Sequence, residues 1–242
     1  GINILMDKKI ISCVISCHNE EKNIPILLDQ LNNYELLEKF EFIIVNNGST
    51  DNSWMVMSQN KKKFPSITFL NIEENLGWGN GIYQGLKITN CEFVGWIHSD
   101  LQYDMKVLSK VYDILQDPKN KKEGILIKGR RKSRTTIENL FTMSMSIIAS
   151  VLLTKVLYDI NAQPNFFSRK LLNLFKNTPK DLMLDLYLYY MVSKMKNKEI
   201  IRLPVVQENR IHGSSSWNKS FLSKYFLALK MFVGIVKIRI MR

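Results

Sequence analysis

KIISCVISCHNEEKNIPILLDQLNNYELLEKFEFIIVNN, residues Lys9 to Asn47, decides how this chain is built. Its opening, KIISCVISC, is a short β-branched run. Apolar residues then recur at helical spacing, and EFIIVNN is strand-like again. The same alternation continues downstream. TDNSWMVMSQNKKKF reads as a helix capped by Thr50 or Asp51, SITFLNI as a third strand and GNGIYQGLKIT as a helix. CEFVGWIHSD reads as a fourth strand, YDMKVLSKVYDILQD as a helix with Asp104 as its cap, and GILIKG as a fifth strand. Strands alternating with helices predict an α/β fold with a mainly parallel central sheet and helices on both faces. Beyond Arg134 the pattern turns mostly helical and more apolar. No repeat or Pro/Gly-rich linker interrupts it, so one domain with a helical C-terminal extension is expected.

In open sheets of this kind ligands sit at the carboxyl ends of the strands. Those ends read SCHNEE (Ser16–Glu21), NNGSTD (Asn46–Asp51), ENLGWGNG (Glu74–Gly81), HSDLQ (His98–Gln102) and KGRRKSR (Lys128–Arg134). All five are polar or glycine-rich, as a nucleotide crevice requires. Two common phosphate cradles are missing: there is no G-x-x-x-x-G-K-[ST], and Gly77, Gly79, Gly81 and Gly85 do not follow the first strand at dinucleotide spacing. A divalent ion bridging a diphosphate needs only one or two protein carboxylates, because phosphate oxygens and water complete its shell. Asp100 is the candidate acid, and Gln102 can add a neutral oxygen.

Composition narrows the partners. The 242 residues carry 34 Lys+Arg against 22 Asp+Glu, a net charge of +12 that favours an anionic partner: nucleic acid, acidic lipid or phosphorylated small molecules. A nucleic-acid reading calls for aromatics interleaved with cations or a recognisable helix motif, and neither is present. Cys13, Cys17 and Cys91 are an odd set without a secretory leader, which predicts structural thiols in a reducing compartment. FLSKYFLALKMFVGIVKIRIMR is apolar but interrupted by lysines. Lys219, Lys230 and Lys237 lie 11 and 7 residues apart and so share a helix face, the pattern of a helix lying in a membrane interface or of a core helix with a solvated edge.

ISCHNEEKNIPILLDQL, IIVNNGSTDNS, NLGWGNGIYQGL, HSDLQYD, KGRR and RIHGSSSW, in that order, resemble the motifs of family-2 glycosyltransferases of the GT-A fold, in particular the dolichyl- and polyprenyl-phosphate sugar synthases. The resemblance runs from about Ile10 to Trp217, and it divides the chain into a GT-A domain over 7–217 and an amphipathic helix over 218–242. It implies an inverting, Mn²⁺- or Mg²⁺-assisted transfer from a UDP- or GDP-sugar to a membrane-associated acceptor, either polyprenyl phosphate or a lipid-linked glycan. The protein would then work peripherally on the cytoplasmic membrane face. By the same resemblance Ser16, His18 and Glu20 contact base and ribose, Asn46 stands where an aspartate holds them, and Gly77 belongs to the glycine motif. His98, Asp100 and Gln102 fall at the metal and diphosphate, Arg130 or Arg131 at a diphosphate or acceptor phosphate, and Arg210, Ser214, Ser216 and Trp217 in a late loop over the donor.

Three departures stand out. Asn46 and Asn47 replace two acids, and His98 replaces the first acid of D-x-D, which keeps open a degenerate homologue that binds nucleotide without turnover. Imidazole ligates Mn²⁺ but suits Mg²⁺ poorly, so Asp100 with Gln102 is the preferred ligand pair and a set including His98 the alternative. In DLMLDLYLYYM, Asp181 fits a helix start. Asp185, inside an apolar stretch, is the candidate base or acceptor-positioning residue.

Overall fold

Alternation along each strand sorts its side chains onto two faces. In β1 (Ile11–Cys17), Ile11, Cys13, Ile15 and Cys17 enter one core and Val14 the other. The computed structural model describes residues 9–132, 136–212 and 221–240. Within them β1 is joined by β2 (Phe40–Asn47), β3 (Ile67–Ile72), β4 (Phe93–Trp96), β5 (Gly124–Lys132), β6 (Asn165–Ser168) and β7 (Lys198–Val206). The sheet order is β3-β2-β1-β4-β6-β5-β7. Only β6 runs antiparallel to its neighbours, so the mainly parallel sheet is as expected.

Helices α1 (Asn23–Asn33), α2 (Leu36–Lys39), α3 (Ser53–Asn60) and α5 (Val107–Gln116) cover one face. The other is covered by α4 (Trp78–Lys87), α6 (Thr136–Leu153), α7 (Met183–Lys194) and α8 (Phe221–Ile240). In α1, Ile24, Leu27, Leu28 and Leu31 make the buried stripe that the 3.6-residue period requires. Asp51 caps α3 by accepting from Ser53 N at 2.9 Å, and Asp104 accepts from Lys106 N at 2.9 Å ahead of α5. All three cysteines are buried and free.

Two regions hold more strand than the sequence announces. The region beyond Arg134 is mostly helical, as expected, but it also supplies β6 and β7, two strands that the sequence did not announce and that complete the sheet. NFFS is too short to declare a period, and KEIIRLPVV is broken by Arg202 and Pro204. Pro204 is tolerated because β7 is the outer strand, with β5 as its sole neighbour. In KGRRKSR the strand does not end at Gly129: β5 runs on through Lys132, and its charges emerge from the core along its length. Lys128 is fully buried and Arg130 exposed. The fourth strand stops at Trp96, leaving His98 to Asp100 in the turn that follows.

α8 buries Met231, Ile235 and Ile238 and presses Gly234 against Met183, where an added Cβ would meet Cγ at 2.7 Å. Lys230 pairs with Asp181 at 3.4 Å, and Arg239 donates to the Leu152 carbonyl of α6. The outer side of α8 exposes Leu229, Phe232, Val233 and Ile240, while α6 exposes Met143, Ile147 and Val151 one turn apart. No described helix is long and apolar enough to cross a membrane.

Candidate active site

The ends of β1 and β2 are laced together by short polar side chains. Asn19, held at φ +57°, accepts from Thr50 N at 2.8 Å and Asp51 N at 3.3 Å. Glu20 N donates to Ser53 Oγ at 2.8 Å, and Glu21 N to Asp51 at 3.2 Å. His18 is exposed, with Nδ1 3.0 Å from the Asn47 carbonyl. Ser16 is buried, and its hydroxyl faces Gly81 of α4, where a Cβ would approach it to 2.3 Å. Burial pushes the Glu20 carboxyl up; a hydrogen bond from Asn23 opposes this, while neighbouring Asp100 adds to it.

Asn46 and Asn47 explain their own departure from acids. Each uses its amide nitrogen as a donor, which a carboxylate cannot do. Asn46 Nδ2 reaches Asn71 Oδ1 at 2.7 Å, and Asn47 Nδ2 reaches Asn75 Oδ1 at 3.2 Å and the Gly77 carbonyl at 3.1 Å. Gly77 has φ +109°, and a Cβ there would fall 2.3 Å from the Lys180 carbonyl, so the turn into α4 requires glycine. Four buried polar atoms around this turn find no partner among the described residues: Asn46 Oδ1, Asn47 Oδ1, Asn80 Nδ2 and Trp78 Nε1. Orphans are uncommon in protein interiors, and a cluster of them marks a place for polar ligand or water.

Past β4 the turn presents His98, Asp100 and Gln102 together. His98 stacks on Trp78, with ring centroids 4.6 Å apart and planes 21° from parallel. Asp100 is only 6 % exposed. Its Oδ1 accepts from Gln102 N at 3.2 Å across Leu101, which sits at φ +56°, and its Oδ2 lies 3.1 Å from Arg210 Nη2. Gln102 Nε2 donates to the Glu208 carbonyl at 3.1 Å. No group of three or more His, Cys, Asp or Glu side chains among the described residues could hold a metal. Asp100 offers one carboxylate and Gln102 one amide oxygen, leaving most of an ion's shell to ligand oxygens and water. That donor set fits an ion carried by a diphosphate.

Asp185 lies elsewhere, in the interior. Trp96, Asn165, Lys128 and Arg202 occupy one register row across β4, β6, β5 and β7, and α7 lays Asp185 over it. The carboxylate is 1 % exposed and accepts from Trp96 Nε1 at 2.9 Å, Gln163 Nε2 at 2.9 Å and Asn165 Nδ2 at 3.1 Å. Burial pushes its pKa up, opposed chiefly by nearby Lys128. Lys128 Nζ donates to Asn165 Oδ1 at 2.8 Å and the Ala162 carbonyl at 3.3 Å, and burial pulls its pKa down to about 7. Arg202 is sandwiched between the rings of Tyr158 at 4.3 Å and Tyr189 at 5.3 Å. The interior polar residue was legible in the sequence; its partners Trp96, Gln163, Asn165 and Lys128 were not, because they meet only through sheet register.

Arg130 and Arg131 part company. Arg131 is bound to Asp159 by Nε at 2.6 Å and by backbone N at 2.6 Å, and its Nη1 donates to Gln207 Oε1 at 3.2 Å. Arg130 is exposed. Both line a cleft of about 590 Å³ whose other walls include Met143, Ile147, Val151, Val156 and Leu157. Ser214, Ser216 and Trp217 lie outside the described residues.

The chain spans about half or less of the first curated relatives it matches. It is 31% identical over 149 residues to a dolichyl-phosphate beta-glucosyltransferase of Trichomonas vaginalis, covering 56% of this chain and 46% of that protein. It is 32% identical over 94 residues to a poly-beta-1,6-N-acetyl-D-glucosamine synthase of Staphylococcus epidermidis, covering 39% and 22%. Among solved structures, the glucosyl-3-phosphoglycerate synthase of Mycobacterium tuberculosis, crystallised with Mn²⁺ and UDP-glucose, superposes with a TM-score of 0.71 at 17% identity. That match covers 96% of this chain and 79% of the other, and it establishes a shared GT-A fold. The family model for Glycosyl transferase family 2 matches residues 12–148, more than half the chain, in a stretch that holds the strand-end motifs and Asp100, and this chain belongs to that family.

Proposed function

We propose that this protein transfers a sugar from a nucleotide-diphospho-sugar to a polyprenyl phosphate at a membrane surface, with inversion. The observation that carries the reading is the pairing of two sites at one sheet edge. One is the crevice of Asp100 and the orphaned polar atoms; the other is an apolar cleft with exposed Arg130 at its mouth. The crevice suits a base, a ribose and a diphosphate. The cleft suits an amphiphile with an anionic head and a hydrocarbon tail, and relatives that act on dolichyl phosphate support that choice.

The chemistry then asks little of acid–base groups. An acceptor phosphate is already ionised, so its oxygen attacks the anomeric carbon while the bond to the nucleotide diphosphate breaks on the opposite side. Asp185, sealed under α7, is assigned to holding the sheet edge and not to accepting a proton. Mn²⁺ or Mg²⁺ held by Asp100 and Gln102 would supply neutralisation of the diphosphate leaving group. His98 would face the diphosphate from its stack on Trp78, and Arg210 would reach it from the segment after β7. Ser16, His18, Glu20 and Asn46 would bound the nucleoside. The exposed apolar sides of α6 and α8, with Lys155, Lys237 and Arg239 nearby, would rest peripherally on an anionic, cytoplasm-facing membrane.

A degenerate homologue is the second reading, favoured by the commitment of Asn46 and Asn47 to structural hydrogen bonds. Thermal unfolding with UDP, GDP, CDP and their sugar conjugates, with and without Mn²⁺ or Mg²⁺, tests donor binding. A ligand at ~100 times its Kd adds about 2.7 kcal/mol, or roughly 2–4 °C per kcal/mol for a chain of this size. A shift for one nucleotide that requires metal and Asp100 supports the proposal, and no shift with any of them removes it. Donor hydrolysis that vanishes in Asp100→Ala removes the degenerate reading.

A further inference from the structure

Residues 207–210 leave β7 and are tied down at three places, the first at Arg131 of the apolar cleft and the other two in the crevice. Gln207 accepts from Arg131 Nη1 at 3.2 Å. Glu208 exchanges two hydrogen bonds with Gln102, its own N–H donating to the Gln102 carbonyl at 2.8 Å and its carbonyl accepting from Gln102 Nε2 at 3.1 Å. Arg210 Nη2 then closes on Asp100 Oδ2 at 3.1 Å, with the side chains 29% and 8% exposed. The carboxylate suited to a divalent ion is thus already neutralised by a guanidinium of its own chain. Glu20 lies in the same field: burial is the main cause of its raised carboxyl, to which Asp100 adds and which Arg210 opposes.

We propose that Arg210 is an internal competitor for the divalent cation. It holds Asp100 until a diphosphate offers the guanidinium a better partner, and only then does the carboxylate become a free ligand. Two cations cannot share one nearly buried carboxylate without strong mutual repulsion. A diphosphate carries more charge than a single carboxylate and matches the planar fork of arginine with several oxygens. Metal alone therefore binds weakly, and metal and nucleotide diphosphate strengthen each other by the same factor, as linkage demands. The identity of the diphosphate rests on the glycosyltransferase reading; the competition for Asp100 does not.

The test titrates Mn²⁺ alone onto the full chain, reading free Mn²⁺ by electron paramagnetic resonance, for wild type, Arg210→Gln, Arg210→Lys and the double variant Arg210→Gln/Asp100→Asn. Removing the guanidinium should tighten Mn²⁺ roughly fivefold, the scale of one partly exposed ion pair. The gain should vanish in the double variant. Equal or weaker binding by Arg210→Gln overturns the inference. Should that variant fail to fold, Arg210→Lys decides: its looser pairing predicts about twofold tighter Mn²⁺, and equality with wild type refutes the competition. UDP or GDP added to wild type should tighten Mn²⁺ more than it does in Arg210→Gln, and an equal gain in both overturns the exchange of partners. A protein that binds neither nucleotide yet shows the Mn²⁺ gain keeps the competition and sinks the glycosyltransferase reading.

Discussion

Asp100 and Asp185 are both carboxylates with almost no exposed surface, 6% and 1%, yet their surroundings are of opposite kinds. Asp185 accepts from Trp96, Gln163 and Asn165, which stand on the sheet or on the segment leading into it, and Lys128 lies alongside. Its neighbours cannot leave without unpacking the core. Asp100 has one guanidinium, on a segment outside the sheet, and one backbone N–H from its own turn. Low exposure alone therefore does not identify a working acid. What distinguishes the two is whether the partners are fixed or exchangeable.

The comparison breaks most easily at Asp185. Asp185→Ala strands the Lys128 ammonium and three donors, and unfolding should cost about 3–5 kcal/mol less than in wild type. Denaturant melts measure this directly. A change below 1 kcal/mol would mean the network is not holding the edge. At Asp100 the effect should fall on rate instead: Asp100→Asn keeps the fold but lowers transfer about 100- to 1,000-fold, the scale of losing one well-placed electrostatic group. Equal damage to stability and rate at both positions would erase the distinction.

A smaller effect sharpens it through pH. Burial pulls Lys128 down to about 7 from an unfolded value near 10.5, so above pH 7 the native state binds fewer protons than the unfolded one. Stability from this group should rise between pH 7 and about 10, and its cost should be fully present below pH 7. Lys128→Met should remove that slope. Asp185, raised by burial, acts with the opposite sign at lower pH, losing stability as pH rises through its native value. The smallest expected effect is at the periphery. Leu229→Ser with Phe232→Ser should weaken binding to phosphatidylglycerol vesicles about tenfold while leaving the melting temperature within 2–3 °C, since both side chains are already exposed. Unchanged vesicle binding would take α8 out of the membrane reading.

The five strands from Ile11 to Lys132 were legible because each is a β-branched run bounded by polar turns, and the helices between them carry clean apolar stripes. β6 and β7 were not. Four residues after Pro164 cannot show a period, and Arg202 and Pro204 interrupt β7 for reasons visible only once it is known to be the edge strand. The candidate site followed the same rule. Asp100, His98 and Gln102 are neighbours in sequence and could be found there. Arg210 was legible as part of the late RIHGSSSW motif, but its pairing with Asp100, like the contacts of Asn71 and Asn75 that explain the asparagines at 46 and 47, joins distant segments and leaves no local signal.

The most direct test is a transfer assay read by mass spectrometry, with farnesyl phosphate as acceptor, a panel of UDP- and GDP-hexoses as donors, Mn²⁺ present, and wild type beside Asp100→Asn. The account predicts a farnesyl-phosphate hexose from one donor in wild type and its near disappearance in the folded variant. Product formed equally well without the Asp100 carboxylate, or no product from any donor, would contradict it.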